Sequence, residues 1–402
     1  MRSFKMLNKW LCFVLLLGCC CMGGEAFIVE NPHMSFIAHL IRYPSEENII
    51  VSPASFHDGL IHLLMGTRGE SSTEMMGVLQ LNELQLKEHL KGSVYNKTIY
   101  NSTMQMYNQL YVDRGLWLLD RYKLDIYKYF HTKVEHVDFE SMDGTVDTIN
   151  GWIAKKTNQK ITEMLGWVSP DSKMVLITAF EFHGEWAKPF DPNLTTKEPF
   201  ETRNRSPDGI VPTALVDMMH IREKFAHRYI DAICAHAIFL PYKHENLSMV
   251  VLLPRDSTGL YYIKRNIQDV DLQALEPTEP PVEIELGLPR FQIEYGSDLS
   301  NIIKSMGIRQ IFFETANFSG LTKQEKVWLN QFRHKVHILV DEGGYNASVA
   351  SASVELKKKP FAKRNTEEVE RFTVNHPFFF YIKDTKRIYV AGIVDRIPET
   401  IQ

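Results

Sequence analysis

Between Gly343 and Asn375 the chain runs for over thirty residues without a steady apolar period, while segments that read as strong strands stand on both sides. Such stretches are uncommon inside a compact domain, and those that occur are mostly functional or disordered. The first part is small and polar, Asn346-Ala347-Ser348-Val349-Ala350-Ser351-Ala352-Ser353. The second is charged: Lys357-Lys358-Lys359-Pro360, then Lys363-Arg364, then Glu367-Glu368-Val369-Glu370-Arg371. Strong flanking strands argue against a frayed linker. The fold must therefore hold those strands by contacts elsewhere and present residues 343–371 as an exposed working loop.

The first third reads as mainly helical. Phe36, Ile37, Leu40 and Ile41 keep helical spacing, as do Phe56, Leu60, Ile61 and Leu64 after the turn at Ser52-Pro53, with a stop at Gly66. Ile149, Trp152 and Ile153 share one face of another helix. Later segments read as strands. Met174 to Ile177 and Met249 to Leu253 are short apolar runs, and Val282, Ile284, Leu286 and Leu288 alternate with Glu283, Glu285 and Gly287. Leu299, Ile302, Ile303 and Met306 predict a short helix closed by Gly307, and Val336–Val340, Phe378–Ile382 and Ile388–Val394 predict further strands. Helices early and strands late predict an α+β domain on a large sheet.

Arg2, Lys5 and Lys9, the apolar run Trp10 to Gly18, and the small residues Gly23, Gly24 and Ala26 form the three-part pattern of a secretory signal peptide over residues 1–24, cut somewhere in 21–26. Leu16-Leu17-Gly18-Cys19 also resembles a bacterial lipid-attachment box, a weaker fit. The expected product is secreted and extracellular, a single domain over residues 25–402. Removing the leader takes the formal charge from −4 to −7, a poor match for nucleic acid or an anionic membrane. Cys12, Cys19, Cys20 and Cys21 lie in the leader, so Cys234 is left alone and is expected to be a buried apolar residue. Sequons stand at Asn96, Asn101, Asn193, Asn204, Asn246, Asn317 and Asn346, candidates for glycans on a secreted chain, with Asn204 weakened by Pro207.

A set of short segments carries a more specific signal: Ser52-Pro53-Ala54-Ser55, Gly66-Thr67-Arg68-Gly69-Glu70, Phe182-His183-Gly184-Glu185-Trp186 running on to Asp191, and Leu288-Pro289-Arg290-Phe291. Phe318-Ser319-Gly320-Leu321, His334-Lys335, Val340-Asp341-Glu342, Asn375-His376-Pro377-Phe378 and Val390-Ala391-Gly392 follow. In this order and spacing, from about residue 30 to 396, they resemble the serpin family. The resemblance implies three β-sheets with eight to nine helices and identifies residues 343–371 as the reactive-centre loop. In inhibitory members a protease cleaves the loop and is held as an acyl-enzyme. The freed loop then inserts into the main sheet as a new strand.

The resemblance also assigns roles. Glu342, Gly343, Gly344, Tyr345, Asn346 and Ala347 become the hinge, and Ser52, Ser55, Thr178, Trp186 and His334 become the groups that hold and release the central strands. Sixteen positions beyond Glu342 is Lys358, the expected residue before the scissile bond, with Lys359 next and Lys357, Lys363 and Arg364 as runners-up in a loop longer than that of common relatives. A lysine there suits a trypsin-like protease with an acidic pocket. Ala347, Val349, Ser351 and Ser353 share one alternating face of small side chains, as an inserting strand needs. Tyr345 where relatives carry Thr or Ser, the sequon at Asn346, Thr178 where relatives carry Asn, and Glu355 on the buried face all oppose insertion.

Two readings follow: a secreted, monomeric inhibitor of trypsin-like serine proteases, or a non-inhibitory carrier or protease decoy on the same fold. No G-x-S-x-G, H-E-x-x-H, phosphate-loop or dinucleotide glycine motif occurs, so catalysis is not expected. No cofactor or metal is expected either. His183, His334 and His337 read as structural, and the pair on one segment lacks a further ligand at useful spacing.

Overall fold

The computed structural model describes residues 32–42, 48–96, 103–202, 212–244, 246–324, 326–343 and 370–398, with the backbone alone over 92–96. Helix α1 (Pro32–Ile41) and strand β1 (Ile49–Val51) lead to α2 (Pro53–Gly66). Ser52 caps α2: its backbone is extended, its side chain accepts from the Ser55 N–H, and Pro53 occupies the first turn, where no N–H is needed. All of α2 but Met65 is buried, so this helix runs through the core and not over it. Helices α3 (Gly69–Leu79) and α4 (Glu83–Asn96), strand β2 (Met104–Asp113), α5 (Asp120–Phe130), β3 (Glu135–Val137), α6 (Met142–Lys156) and β4 (Met174–His183) follow.

The remainder is mostly strand: β5 (Thr196–Glu201), β6 (Thr213–Ile230), β7 (Ala235–Pro241), β8 (Ser248–Pro254), then α7 (Leu260–Asn266), β9 (Val282–Pro289) and β10 (Phe291–Asp298). Helix α8 (Ser300–Met306) ends on Gly307, whose φ of 111° lets its N–H turn back to the carbonyls of Ile303 and Lys304. Strands β11 (Leu329–Val340), β12 (Glu370–Thr373), β13 (Phe378–Lys383) and β14 (Ile388–Val394) close the described chain.

The strands form three sheets. The first is ordered β10-β11-β4-β2-β3. The long β6 belongs to the other two: Ala226–Ile230 pair with β7, continuing β8-β13-β14-β1, and Met218–Phe225 pair with β9, which carries β12 on its far edge. One apolar cluster fills the space between the first sheet (Phe180, Phe182, Val336, Ile338) and the others (Ile238, Val251, Leu286, Phe378). A second gathers α2 and its neighbours against Leu110, Leu176 and Phe332 at the other end of the same sheet. Ile149 and Ile153 of α6 cover the opposite face at Tyr111, Val175 and Ile177. β4 is thus covered on both faces, and every residue in it but His183 is buried. Among the described residues no helix is long and apolar enough to cross a membrane.

The α+β class, the three sheets and eight α-helices among the described residues match expectation. Four points differ. The first third is not simply helical, because β2 is a ten-residue strand there, paired with β4. The alternation in β9 fails at its ends: Val282 is exposed, and Gly287 is buried beneath the Thr373 methyl. Cys234 is only partly buried, since it takes a left-handed conformation (φ 49°) to end the turn Asp231–Ile233. The loop ends earlier than Arg371: Glu370 and Arg371 already lie in β12, where they pair with Ile284 and Glu285.

Candidate functional site

β4 and β11 lie side by side and parallel at the centre of the first sheet, paired from Met174 and Leu329 to His183 and Leu339. The residues implicated from sequence gather at two points along this seam. At its middle, Thr178 and His334 are register partners. The backbone N–H of Ser52 donates to Nε2 of His334 across 3.0 Å. A backbone amide can only donate, so Nε2 is unprotonated and the neutral ring carries its hydrogen on Nδ1. That Nδ1–H faces Oγ1 of Thr178 at 2.8 Å, and the Thr178 hydroxyl donates onward to the Arg333 carbonyl at 3.3 Å. Burial pushes the His334 pKa down to about 3, which keeps the ring neutral and the chain of donors fixed. Ser55, one turn into α2, donates to Oδ1 of Asn108 on β2 at 3.2 Å.

Thr178, at the place where the resemblance sets an asparagine in relatives, therefore reaches the histidine with a hydroxyl. Its methyl group also fixes where α2 lies. A Cβ at Gly59 would stand 2.7 Å from Cγ2 of Thr178 and 3.0 Å from Cζ of Phe332, so only glycine allows this approach.

The second point is the end where β11 runs out toward the loop. Trp186 donates from Nε1 to the Asp341 carbonyl at 2.8 Å and stacks on Tyr242, with ring centroids 4.4 Å apart. His183, the last residue of β4, meets Oδ2 of Asp341 at 2.9 Å. Glu342 is nearly buried: it accepts from the Thr195 hydroxyl at 2.8 Å, lies 3.7 Å from the Arg290 guanidinium, and its carbonyl takes the Phe190 N–H at 2.9 Å. Arg290 also binds Asp217 at 2.7 Å; Lys197 first, then Arg290, holds that carboxyl below its usual range. Polar contacts thus fasten both strand ends together where the chain leaves for the loop.

His334 and His337 are three residues apart on one strand, and so face opposite ways; His337 meets Nε2 of Gln292 at 2.9 Å. With both its nitrogens engaged and its ring kept neutral, His334 acts as a fastener and not as a base.

Gly343 is described. The hinge residues Gly344, Tyr345, Asn346 and Ala347, and the reactive-bond candidates Lys357, Lys358, Lys359, Lys363 and Arg364, lie outside the described residues. So do Asn101, Asn204 and the side chain of Asn96. Asn193, Asn246 and Asn317 are exposed, though the Asn317 backbone is anchored by Ser71 and Arg68. Gly59, Asn108 and Thr195 join the site without having been singled out, being ordinary residue types with no local signal; Arg290 and Asp341 stand within the segments that carry the resemblance but had been given no role.

The sequence profile of one family, Serpin (serine protease inhibitor), matches residues 33–396. The chain belongs to the serpin family. It is 29% identical to Iripin-2 of Ixodes ricinus over 99% of this chain and 100% of that one, and 29% identical to the human leukocyte elastase inhibitor over 84% and 89% respectively. Human thyroxine-binding globulin, in its crystal structure with thyroxine, superposes with a TM-score of 0.77 at 22% identity, covering 92% of this chain and 98% of that one, a likeness of fold. In this serpin the two fastenings lie at the middle and at one end of the seam between β4 and β11.

Proposed function

We propose that this serpin is a secreted inhibitor of trypsin-like serine endopeptidases, acting by loop cleavage followed by insertion between β4 and β11. The observation that carries the reading is the parallel seam, fastened by hydrogen bonds through Ser52, His334 and Thr178 and continuous at one end with the loop. A segment leaving Glu342 and turning back along the seam runs antiparallel to both neighbours. One parallel ladder is exchanged for two antiparallel ones, a gain in paired backbone of the more stable kind. Loop length allows it. The ten-residue β4 spans about 33 Å at ~3.3 Å per residue, and Gly343 to Lys358 is longer than ten residues.

Cleavage is the trigger because the uncut loop is tied at both ends, to β11 in one sheet and to β12 in another. The cut releases the Glu342 side. A protease still esterified to Lys358 is then carried along the sheet before water can free it. The partner is a secreted trypsin-like protease, met by a monomeric serpin; neither nucleic acid nor membrane is part of the reading. The likeness to the leukocyte elastase inhibitor lends support to protease inhibition in general. Incubation with trypsin is expected to give a complex that survives boiling in SDS. Cut serpin beside active protease would contradict the proposal.

A second reading, a non-inhibitory carrier or decoy substrate, rests on Tyr345, Asn346 and Thr178, with Glu355 a further misfit. A phenol entering the sheet first would overpack it by about 1–3 kcal/mol, and a glycan on Asn346 would obstruct threading.

A further inference from the structure

Away from the seam, three ligand-bearing side chains converge from two helices. His57 and Asp58 come from α2 and His89 from α4, and one ligand atom from each lies within 4.8 Å of the other two. His57 and Asp58 are buried, and His89 is nearly so. The His57 and His89 rings stand 5.0 Å apart between centroids, and His33 of α1 extends the row at 5.2 Å from His57. Two imidazoles and a carboxylate form a mixed nitrogen and oxygen set of the kind that zinc and its neighbours prefer.

A positive group already lies against the set. The Arg387 guanidinium is 3.4 Å from Oδ1 of Asp58 and 3.3 Å from Nε2 of His89, while Nε2 of His89 is itself 3.4 Å from Oδ1 of Asp58. Carboxylate and imidazole thus converge on one point, and a cation is what they hold there. A cavity of about 480 Å³ borders the cluster, with Asp58, Arg387 and Tyr389 in its wall. It offers an ion a way in and the guanidinium a way out.

The geometry points to a divalent metal site, of the zinc class, formed by His57, Asp58 and His89, with Arg387 as the competing internal cation. Ligand atoms at about 2.0–2.2 Å from one ion stand roughly 3–3.5 Å apart, so side-chain rotations of little more than an ångström close the set. Loading would bind α2 to α4. Because Ser52 and Ser55 sit at the start of α2, a bound ion would also stiffen the helix that supports the seam.

The test uses the full mature chain without a histidine tag, titrated with Zn²⁺ by calorimetry and with Co²⁺ by visible absorption. One ion per chain is expected, with the absorption of a four-coordinate cobalt site. Arg387→Gln should tighten binding by about tenfold, since it removes the competing cation, and His57→Gln or His89→Gln should weaken it by about a hundredfold. His89 is at the cluster's more accessible edge, so its variant serves if His57→Gln does not fold. Absence of binding to both the wild type and Arg387→Gln would overturn the site. So would binding that His89→Gln leaves unchanged, which would place the ion on other histidines.

Discussion

Gly59 of α2 and Thr178 of β4 approach so closely that a Cβ on the glycine would lie 2.7 Å from the threonine methyl. Helix and strand are in direct backbone-to-side-chain contact at the point where the seam is fastened. Gly59→Ala should therefore force β4 and α2 apart and cost about 1–3 kcal/mol as an overpacked core site. A lower urea midpoint with an unchanged slope is the expected result.

Thr178→Val keeps the shape of the side chain and removes the hydroxyl. The buried Nδ1–H of His334 loses its acceptor, at a cost of about 1–3 kcal/mol in unfolding free energy. Thr178→Ser retains the hydroxyl and should keep the hydrogen bond, giving up only the methyl contact. Urea unfolding of the two variants side by side separates the polar contribution from packing.

The same histidine predicts a dependence on acidity. Burial lowers its pKa from 6.5 to about 3. Between these values the unfolded chain binds a proton at this ring and the folded chain does not. The contribution of neutral His334 to stability is whole above pH 6.5 and drains away as pH falls toward 3, with a slope of up to about 1.4 kcal/mol per pH unit. Unfolding free energies measured between pH 7 and pH 4 should fall less steeply in His334→Gln than in the wild type.

Lys358 is the expected residue before the scissile bond. Mass spectrometry after brief exposure to trypsin should find a new N-terminus at Lys359. Lys358→Ala should slow reaction with trypsin by about tenfold or more, the worth of one charge pair in the protease pocket.

Much of the fold was legible because burial leaves a period in the sequence. The apolar spacing of Phe56, Leu60, Ile61 and Leu64 after the Ser52-Pro53 turn gave α2 with its end at Gly66, and Ile388–Val394 gave β14 to the residue. β2 and β6 were not legible. Gln105, Tyr107 and Gln109 in one and Asp217, His220, Arg222 and Lys224 in the other interrupt the apolar pattern, and these strands exist because β4, β9 and β7 pair with them. The seam's fastening had no local signature at all. Ser52 and His334 are 282 positions apart, and only resemblance to a family joined them. His57, Asp58 and His89 stayed hidden because α4 returns to α2 through tertiary packing, which spacing along the chain does not reveal.

The central claim is that the cut segment leaves solvent and joins β4 and β11. Scanning calorimetry of the intact protein and of the protein nicked after Lys358 tests it directly. The nicked form should melt far above the intact one, because two antiparallel ladders replace one parallel ladder beside β4, a strand buried on both faces. Equal melting temperatures, with the released segment still open to further proteolysis, would contradict the account.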